Sequence, residues 1–110
     1  MTEQHPYSRA TRETMALLAS QIRLHRTEKG MTAGEVATRA GVSRGLVQRI
    51  EKGDPGCRIG AVLEVAHIVG VPLFSEDPHE RQRSLKQIED KLALLPARVR
   101  PPRRSIDDDF

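Results

Sequence analysis

The chain has 110 residues, 37% of them hydrophobic and 30% charged, with a formal net charge of +3 and a pI near 9.5. That length fits one compact domain with an appendage, and such a domain buries only about 60–70% of the surface its unfolded chain exposes. Trp is absent, the only aromatic residues are Tyr7, Phe74 and Phe110, and Cys57 is the single cysteine, which excludes an aromatic-rich pocket, a single-strand-binding face of stacked rings, an intrachain disulfide and a thiolate zinc cluster.

The pattern is one of short helices punctuated by glycine. Gly30, Gly41, Gly53 and Gly70 each follow a helix-like stretch, where a left-handed cap favours a residue without Cβ. The first stretch runs from Thr11 to Lys29, with Met15, Leu18, Ile22 and His25 spaced 3, 4 and 3 apart on one face. The second runs from Thr32 to Ala40 and opens on a capping box, Thr32 to Glu35. Ser43 is a good N-cap for a third helix that reaches Lys52, with Leu46, Val47 and Ile50 apolar. A fourth, Ile59 to Val69, is apolar nearly all round, as expected of a central helix. The fifth opens at Asp77-Pro78-His79-Glu80, where N-cap, first-turn proline and acidic third position agree, and continues to Leu94 before Pro96. Only Ala97-Arg98-Val99 suggests an extended piece, so the class is all-α.

The strongest functional signal is the stretch from Thr32 to Gly53. Two short helices flank the turn Ala40-Gly41-Val42-Ser43. Ala37, four residues before Gly41, lets the helices approach, while Val47 and Ile50 follow six and nine residues after it as inner anchors. A small residue, a turn glycine and two apolar anchors at these offsets describe a helix-turn-helix. Arg44, Arg49 and Lys52 fall on the opposite, outer face, which a purely structural hairpin does not require. Of 18 basic residues 14 are Arg, whose planar fork suits bidentate contact with guanine, phosphate or carboxylate, although genomic composition also enriches arginine.

From Ile22 to Phe74 the chain resembles the Xre/Cro family of phage-repressor-like regulators. The stretch IRLHRTEKGMTAGEVATRAGVSRGLVQRIEKGD follows that family's pattern along its length. The resemblance implies an all-α, five-helix, lambda-repressor-like DNA-binding fold, with Thr32 to Ala40 as positioning helix and Ser43 to Lys52 as recognition helix. It places base contacts on Ser43, Arg44, Gly45, Gln48 and Arg49, and phosphate contacts on Thr32, Ala33 and Lys52. Similar repressors carry a phosphate-touching Gln where this chain has Ala33, so Thr32 or a backbone N–H at the helix start must serve instead. The family also pairs a first-helix Arg with the Glu that closes the recognition helix, here Arg26 with Glu51; two separate solvated charges are the alternative. Gly45 either lets the backbone approach the groove floor or is tolerated at an exposed site, at a cost of up to about 1 kcal/mol against alanine.

A domain this small makes few base contacts, so a homodimer on a palindromic operator in double-stranded DNA is expected. Leu85, Ile88, Leu92 and Leu95 repeat at 3, 4 and 3, an a/d pattern that forms either a dimer seam or a face packed on its own domain. The stretch IEKGDPGCRIGAVLEVAHIVGV is similar to HipB-like antitoxins encoded beside HipA-type kinase toxins, and the tail LPARVRPPRRSIDDDF resembles the C-termini of some of them. The resemblance implies a HipA-like toxin kinase as partner, met by a tail comprising Arg98, Arg100, Asp107, Asp108, Asp109 and Phe110. That tail places opposite charges in blocks and ends on an apolar anchor; an ordinary solvated tail is the plainer possibility.

The expected organisation is a flexible N-terminus over residues 1–10, the helix-turn-helix domain over 11–75, a C-terminal helix over 76–95 and a flexible tail over 96–110. The functional reading is a DNA-binding regulator, most simply a repressor and antitoxin that controls its own operon. A stand-alone Xre-type repressor and a protein-interaction module without DNA binding are the alternatives. No enzymatic activity, metal or cofactor is expected: the four His are scattered and no HExxH, P-loop or nucleophile elbow occurs. His25 and His67 read as half-buried helix residues, Cys57 as a small packed hydrophobe rather than a redox sensor, and no set of pocket-lining residues is visible. With no apolar run near the roughly 20 residues a membrane span needs, and no signal-like N-terminus, a cytoplasmic location is expected.

Overall fold

The computed structural model describes residues 7–97 and contains α1 (Arg9–Glu28), α2 (Ala33–Ala40), α3 (Arg44–Glu51), α4 (Ile59–Val69) and α5 (Pro78–Ala93), with no strand among the described residues. The all-α class is therefore as the sequence predicts. Side-chain caps set the starts of α1, α2, α3 and α5, whereas α4 begins without one. α1 starts two residues earlier than Thr11, because the Ser8 hydroxyl accepts the Thr11 N–H at 3.2 Å and Arg9 pairs with Glu13 one turn on. At α2 the capping box is complete: the Thr32 hydroxyl accepts from the Glu35 N–H at 3.0 Å, and the Thr32 N–H donates to the Glu35 carboxylate at 2.8 Å.

The first four helices stop in one way. Gly30, Gly41, Gly53 and Gly70 all have positive φ, and the residue after each reaches back across the last turn. Met31 N–H donates to Arg26 O, Val42 to Ala37, Asp54 to Arg49 and Val71 to Ala66, at 2.9–3.1 Å. This is the Schellman closure, which satisfies carbonyls that a helix end leaves orphaned. At Gly41 (φ +73°) it turns the chain from α2 into α3 within a few residues. Met31, Val42 and Val71 then pack on the core. The residue after Gly53 is the charged Asp54.

That core is aliphatic: Ile22 from α1, Val36 and Ala37 from α2, Val47 and Ile50 from α3, Val65, Ala66 and Val69 from α4, and Val71. Each fully buried Val or Ile contributes about 1.5–3 kcal/mol, and Ala37 keeps α2 and α3 close, as its small side chain predicts. α4 departs from the expected central helix. Its buried residues form one stripe facing α1 and α2, while Ile59 is 76% exposed and Leu63 and His67 are exposed as well. A helix that packs against its neighbours along one side leaves its other side to solvent, however apolar the sequence. His67 is therefore exposed rather than half-buried, whereas His25 is half-buried.

The chain divides between Leu73 and Phe74 into two units. In the second, Asp77 caps α5 by accepting the His79 N–H at 2.9 Å, Pro78 holds the first helical position, and Ser75 donates to Glu80 at 2.6 Å. No residue of α5 is buried, and Leu85, Ile88, Leu92 and Leu95 are all exposed. Ala97 lies in a bend. Residues 1–6 and the tail positions Arg98, Arg100, Asp107, Asp108, Asp109 and Phe110 lie outside the described residues. Among the described residues no helix is long and apolar enough to cross a membrane.

Candidate nucleic-acid interface

The first turn of α3 is fixed by Ser43, whose hydroxyl accepts the Leu46 N–H at 3.0 Å. From there Val47 and Ile50 are buried, and Arg44, Gly45, Gln48, Arg49 and Lys52 are exposed. At 100° per residue the two anchors point inward and Gly45, Gln48, Arg49 and Lys52 share the outer side, with Arg44 at its flank. The last turn is held by Glu51. Arg26 of α1 donates Nε to Glu51 Oε2 at 2.6 Å and Nη2 to Oε1 at 2.9 Å, and its Nη1 reaches the Met31 carbonyl at 2.9 Å. With side-chain exposures of 18% and 9%, the pair is largely withdrawn from water. The hydrogen bond to Glu51 holds the Arg26 guanidinium above its ordinary pKa, against the opposing effect of burial. A bidentate pair of this kind fixes geometry as well as charge.

The residues at the head of α2 are placed differently from one another. Thr32 is exposed, and its hydroxyl spends one lone pair on the cap while its O–H remains a donor. Ala33 is half-buried against the core and carries no polar side chain; with the Glu35 N–H given to the Thr32 hydroxyl, the Ala33 and Gly34 N–H groups are the first-turn donors left to this end of α2. The Arg44 stem runs back towards this end of α2: its Cδ lies 3.9 Å from where a Cβ on Gly34 would stand. Arg44 thus lies between the head of α2 and the outer side of α3.

Two features were not visible in the sequence. The first is a second ion pair, Arg49 Nε to Asp54 Oδ2 at 3.1 Å. Asp54 also accepts the Gly56 N–H at 2.8 Å through Oδ1, and that bond, then Arg49, holds its carboxyl below the usual range. The signal was the glycine at position 53, since a Schellman closure necessarily brings residue 54 over residue 49. The second is an apolar groove of about 240 Å³ behind α3, lined by Met15, Leu18, Ile59, Val62 and Cys57 among others. Cys57 is half-buried there, and burial, followed by the Asp54 charge, pushes its thiol above the ordinary pKa while Arg49 pulls the other way. Among the described residues no group of His, Cys, Asp or Glu is arranged to hold a metal ion.

A tight α2–turn–α3 unit with a capped second helix and a cationic outer side is the geometry of a DNA-reading module. A family model described as a helix-turn-helix domain matches residues 17–81. The chain belongs to this helix-turn-helix family. The match begins within α1 and ends within the first turn of α5, so it takes in all of α2, α3 and α4. The fold is that of a lambda-repressor-like helix-turn-helix domain, and a DNA-binding regulator is the function class that goes with it. No curated protein matches the chain.

Proposed function

We propose that this helix-turn-helix protein is a sequence-specific, double-stranded-DNA-binding repressor, that it works as a homodimer on a palindromic operator, and that it serves as the antitoxin of a HipA-like toxin whose operon it controls. The observation that carries the DNA-binding part is the division of α3: Val47 and Ile50 buried, and Arg44, Gln48, Arg49 and Lys52 exposed together on a helix braced at both ends. In this reading Arg44 and Arg49 read base edges with Ser43, Gly45 and Gln48 beside them. Lys52, Thr32 and the Ala33 backbone hold phosphates. The two-fold assembly rests on the exposed Leu85, Ile88, Leu92 and Leu95 stripe of α5. The antitoxin role rests on the similarity of the segment from Ile50 to Val71 and of the C-terminal tail to HipB-like proteins.

The test is fluorescence anisotropy with a labelled duplex taken from upstream of the chain's own coding sequence, at about 50 and 200 mM salt. A repressor binds that duplex more tightly than an unrelated one and loses at least about tenfold in affinity across the salt range. A protein-interaction module binds neither. Co-purification of a kinase-sized partner with the tagged full chain, and its loss on truncation at Pro96, tests the antitoxin role; a truncated chain that retains the partner removes the tail from it.

A further inference from the structure

We propose that Asp54 is a specificity-determining positioning residue, a carboxylate that holds the Arg49 guanidinium at one fixed orientation for bidentate contact with a guanine. The inference rests on the reading of α3 as a DNA-facing helix and adds a residue beyond that helix to its reading machinery.

Four of the helix ends are built alike, and three of them follow the glycine with an apolar residue that packs on the core: Met31, Val42 and Val71. An apolar residue at this position is the usual companion of a Schellman closure. At the end of α3 the position carries Asp54, and the residue it reaches back to is Arg49. The two are joined twice, by Asp54 N–H to Arg49 O at 3.1 Å and by Arg49 Nε to Asp54 Oδ2 at 3.1 Å. The carboxylate is itself anchored, because Oδ1 accepts the Gly56 N–H at 2.8 Å. Asp54 is thus tied to the backbone on both sides before it meets the arginine.

The manner of the grip matters. Asp54 takes Arg49 by Nε alone and so occupies neither Nη1 nor Nη2, the edge that fits guanine O6 and N7; the other neighbour of the guanidinium is the Cys57 thiol, a weak hydrogen-bond partner. Glu51 takes Arg26 by two nitrogens, and the Met31 carbonyl takes the third, so that arginine is consumed within the fold. Arg49 keeps 54% of its side-chain surface exposed. A carboxylate beside a DNA-facing helix repels phosphate and costs affinity, so its benefit lies in orientation: a long side chain held in one pose loses less freedom on contact and meets a wrong base with its donors misdirected.

The experiment is selection from random duplexes with the full chain, followed by affinity measurements on single-base variants of the selected duplex for wild type, Arg44→Ala, Arg49→Ala, Asp54→Ala, Asp54→Asn and the Arg49→Ala/Asp54→Ala double variant. Urea denaturation confirms that each is folded. Asp54→Ala is expected to lower discrimination for guanine at one base pair per half-site by about three- to tenfold and to do nothing further in the Arg49→Ala background. Asp54→Asn has one amide oxygen for the two N–H groups that Oδ1 and Oδ2 of Asp54 accept, so with that oxygen on Gly56 its NH2 faces Arg49 Nε, and discrimination should stay as low as in Asp54→Ala. Uniform weakening on every duplex, with discrimination intact, would make Asp54 a turn residue only and overturn the proposal. So would tighter binding or sharper discrimination by Asp54→Ala, since the carboxylate would then be withholding the arginine. If Arg49→Ala itself leaves discrimination unchanged while Arg44→Ala does not, Arg49 is no base reader and the proposal falls without the DNA-binding reading. If no duplex is selected at all, that reading has failed first.

Discussion

Arg26 and Glu51 lie 25 positions apart in the sequence and meet through two parallel hydrogen bonds, at 2.6 and 2.9 Å, that fasten the end of α3 to α1. Removing one partner leaves the other charge largely shielded from water and unmatched. Glu51→Ala is therefore expected to cost about 2–4 kcal/mol of stability, a fall in Tm on the order of 10 °C or more for a domain of this size. Arg26→Ala should cost a similar amount and the double variant much less than the sum, which urea denaturation of the four proteins measures as a coupling energy.

Two glycines separate backbone need from tolerance. Gly41 has φ +73°, so Gly41→Ala places a Cβ in the left-handed region and is expected to destabilise by about 1–2 kcal/mol. Gly45 is helical, and a Cβ there meets only the Ser43 Oγ, at 4.0 Å. Gly45→Ala is thus expected to raise stability by up to about 1 kcal/mol. If bare backbone at this point is needed in the groove, the same variant weakens DNA binding while it melts later, and comparison of its Tm with its duplex affinity separates the two roles.

Titration behaviour follows from the turn after α3. The Asp54 carboxyl lies below its ordinary value because Gly56 and Arg49 favour its charged form. Its contribution to stability is therefore complete above the ordinary aspartate value of about 3.9 and is lost as the pH falls through the lower folded value. The difference in stability between wild type and Asp54→Asn, followed by urea denaturation, should shrink across that acidic window and stay level from pH 5 upward. Cys57 runs the other way: its raised pKa makes the thiolate scarce, so alkylation by iodoacetamide should be slower than for free cysteine at pH 8 and should accelerate on denaturation.

The exposed leucine stripe of α5 is expected to be covered in solution by a second copy. Size-exclusion chromatography with light scattering should report about twice 12.3 kDa. Leu85→Asp with Leu92→Asp should return the monomer mass and weaken operator binding by at least about tenfold, since one half-site then binds alone. A monomer mass for the wild type at working concentration removes the seam.

The elements that were legible in the sequence are those whose signals are local. Thr32 with Glu35, Ser43, Asp77 with Pro78, and the four positive-φ glycines each announce a helix end through chemistry within a few residues, and the structure places the ends there to within two residues. The exposure of Ile59, Leu63 and His67 was not legible, because composition records that α4 is apolar but not how many sides its neighbours cover. The Arg49–Asp54 pair escaped for a related reason. Gly53 and Asp54 read as a turn, and only the Schellman geometry shows which residue the turn brings into contact. The groove beside Cys57 is assembled from α1, the turn after α3 and α4, so no single stretch of sequence carries it.

The measurement that bears most directly on the central claim, that the outer side of α3 reads DNA, is selection from a pool of random duplexes with wild type, Arg44→Ala and Lys52→Ala in parallel. The expected result is a two-fold-symmetric motif for wild type. Arg44→Ala should lose preference at one base pair in each half, worth about 1–3 kcal/mol of discrimination, and Lys52→Ala should keep the motif with weaker binding and a salt dependence shallower by about one unit. A wild-type pool that does not enrich, or an Arg44→Ala pool that returns the wild-type motif unchanged, would contradict it.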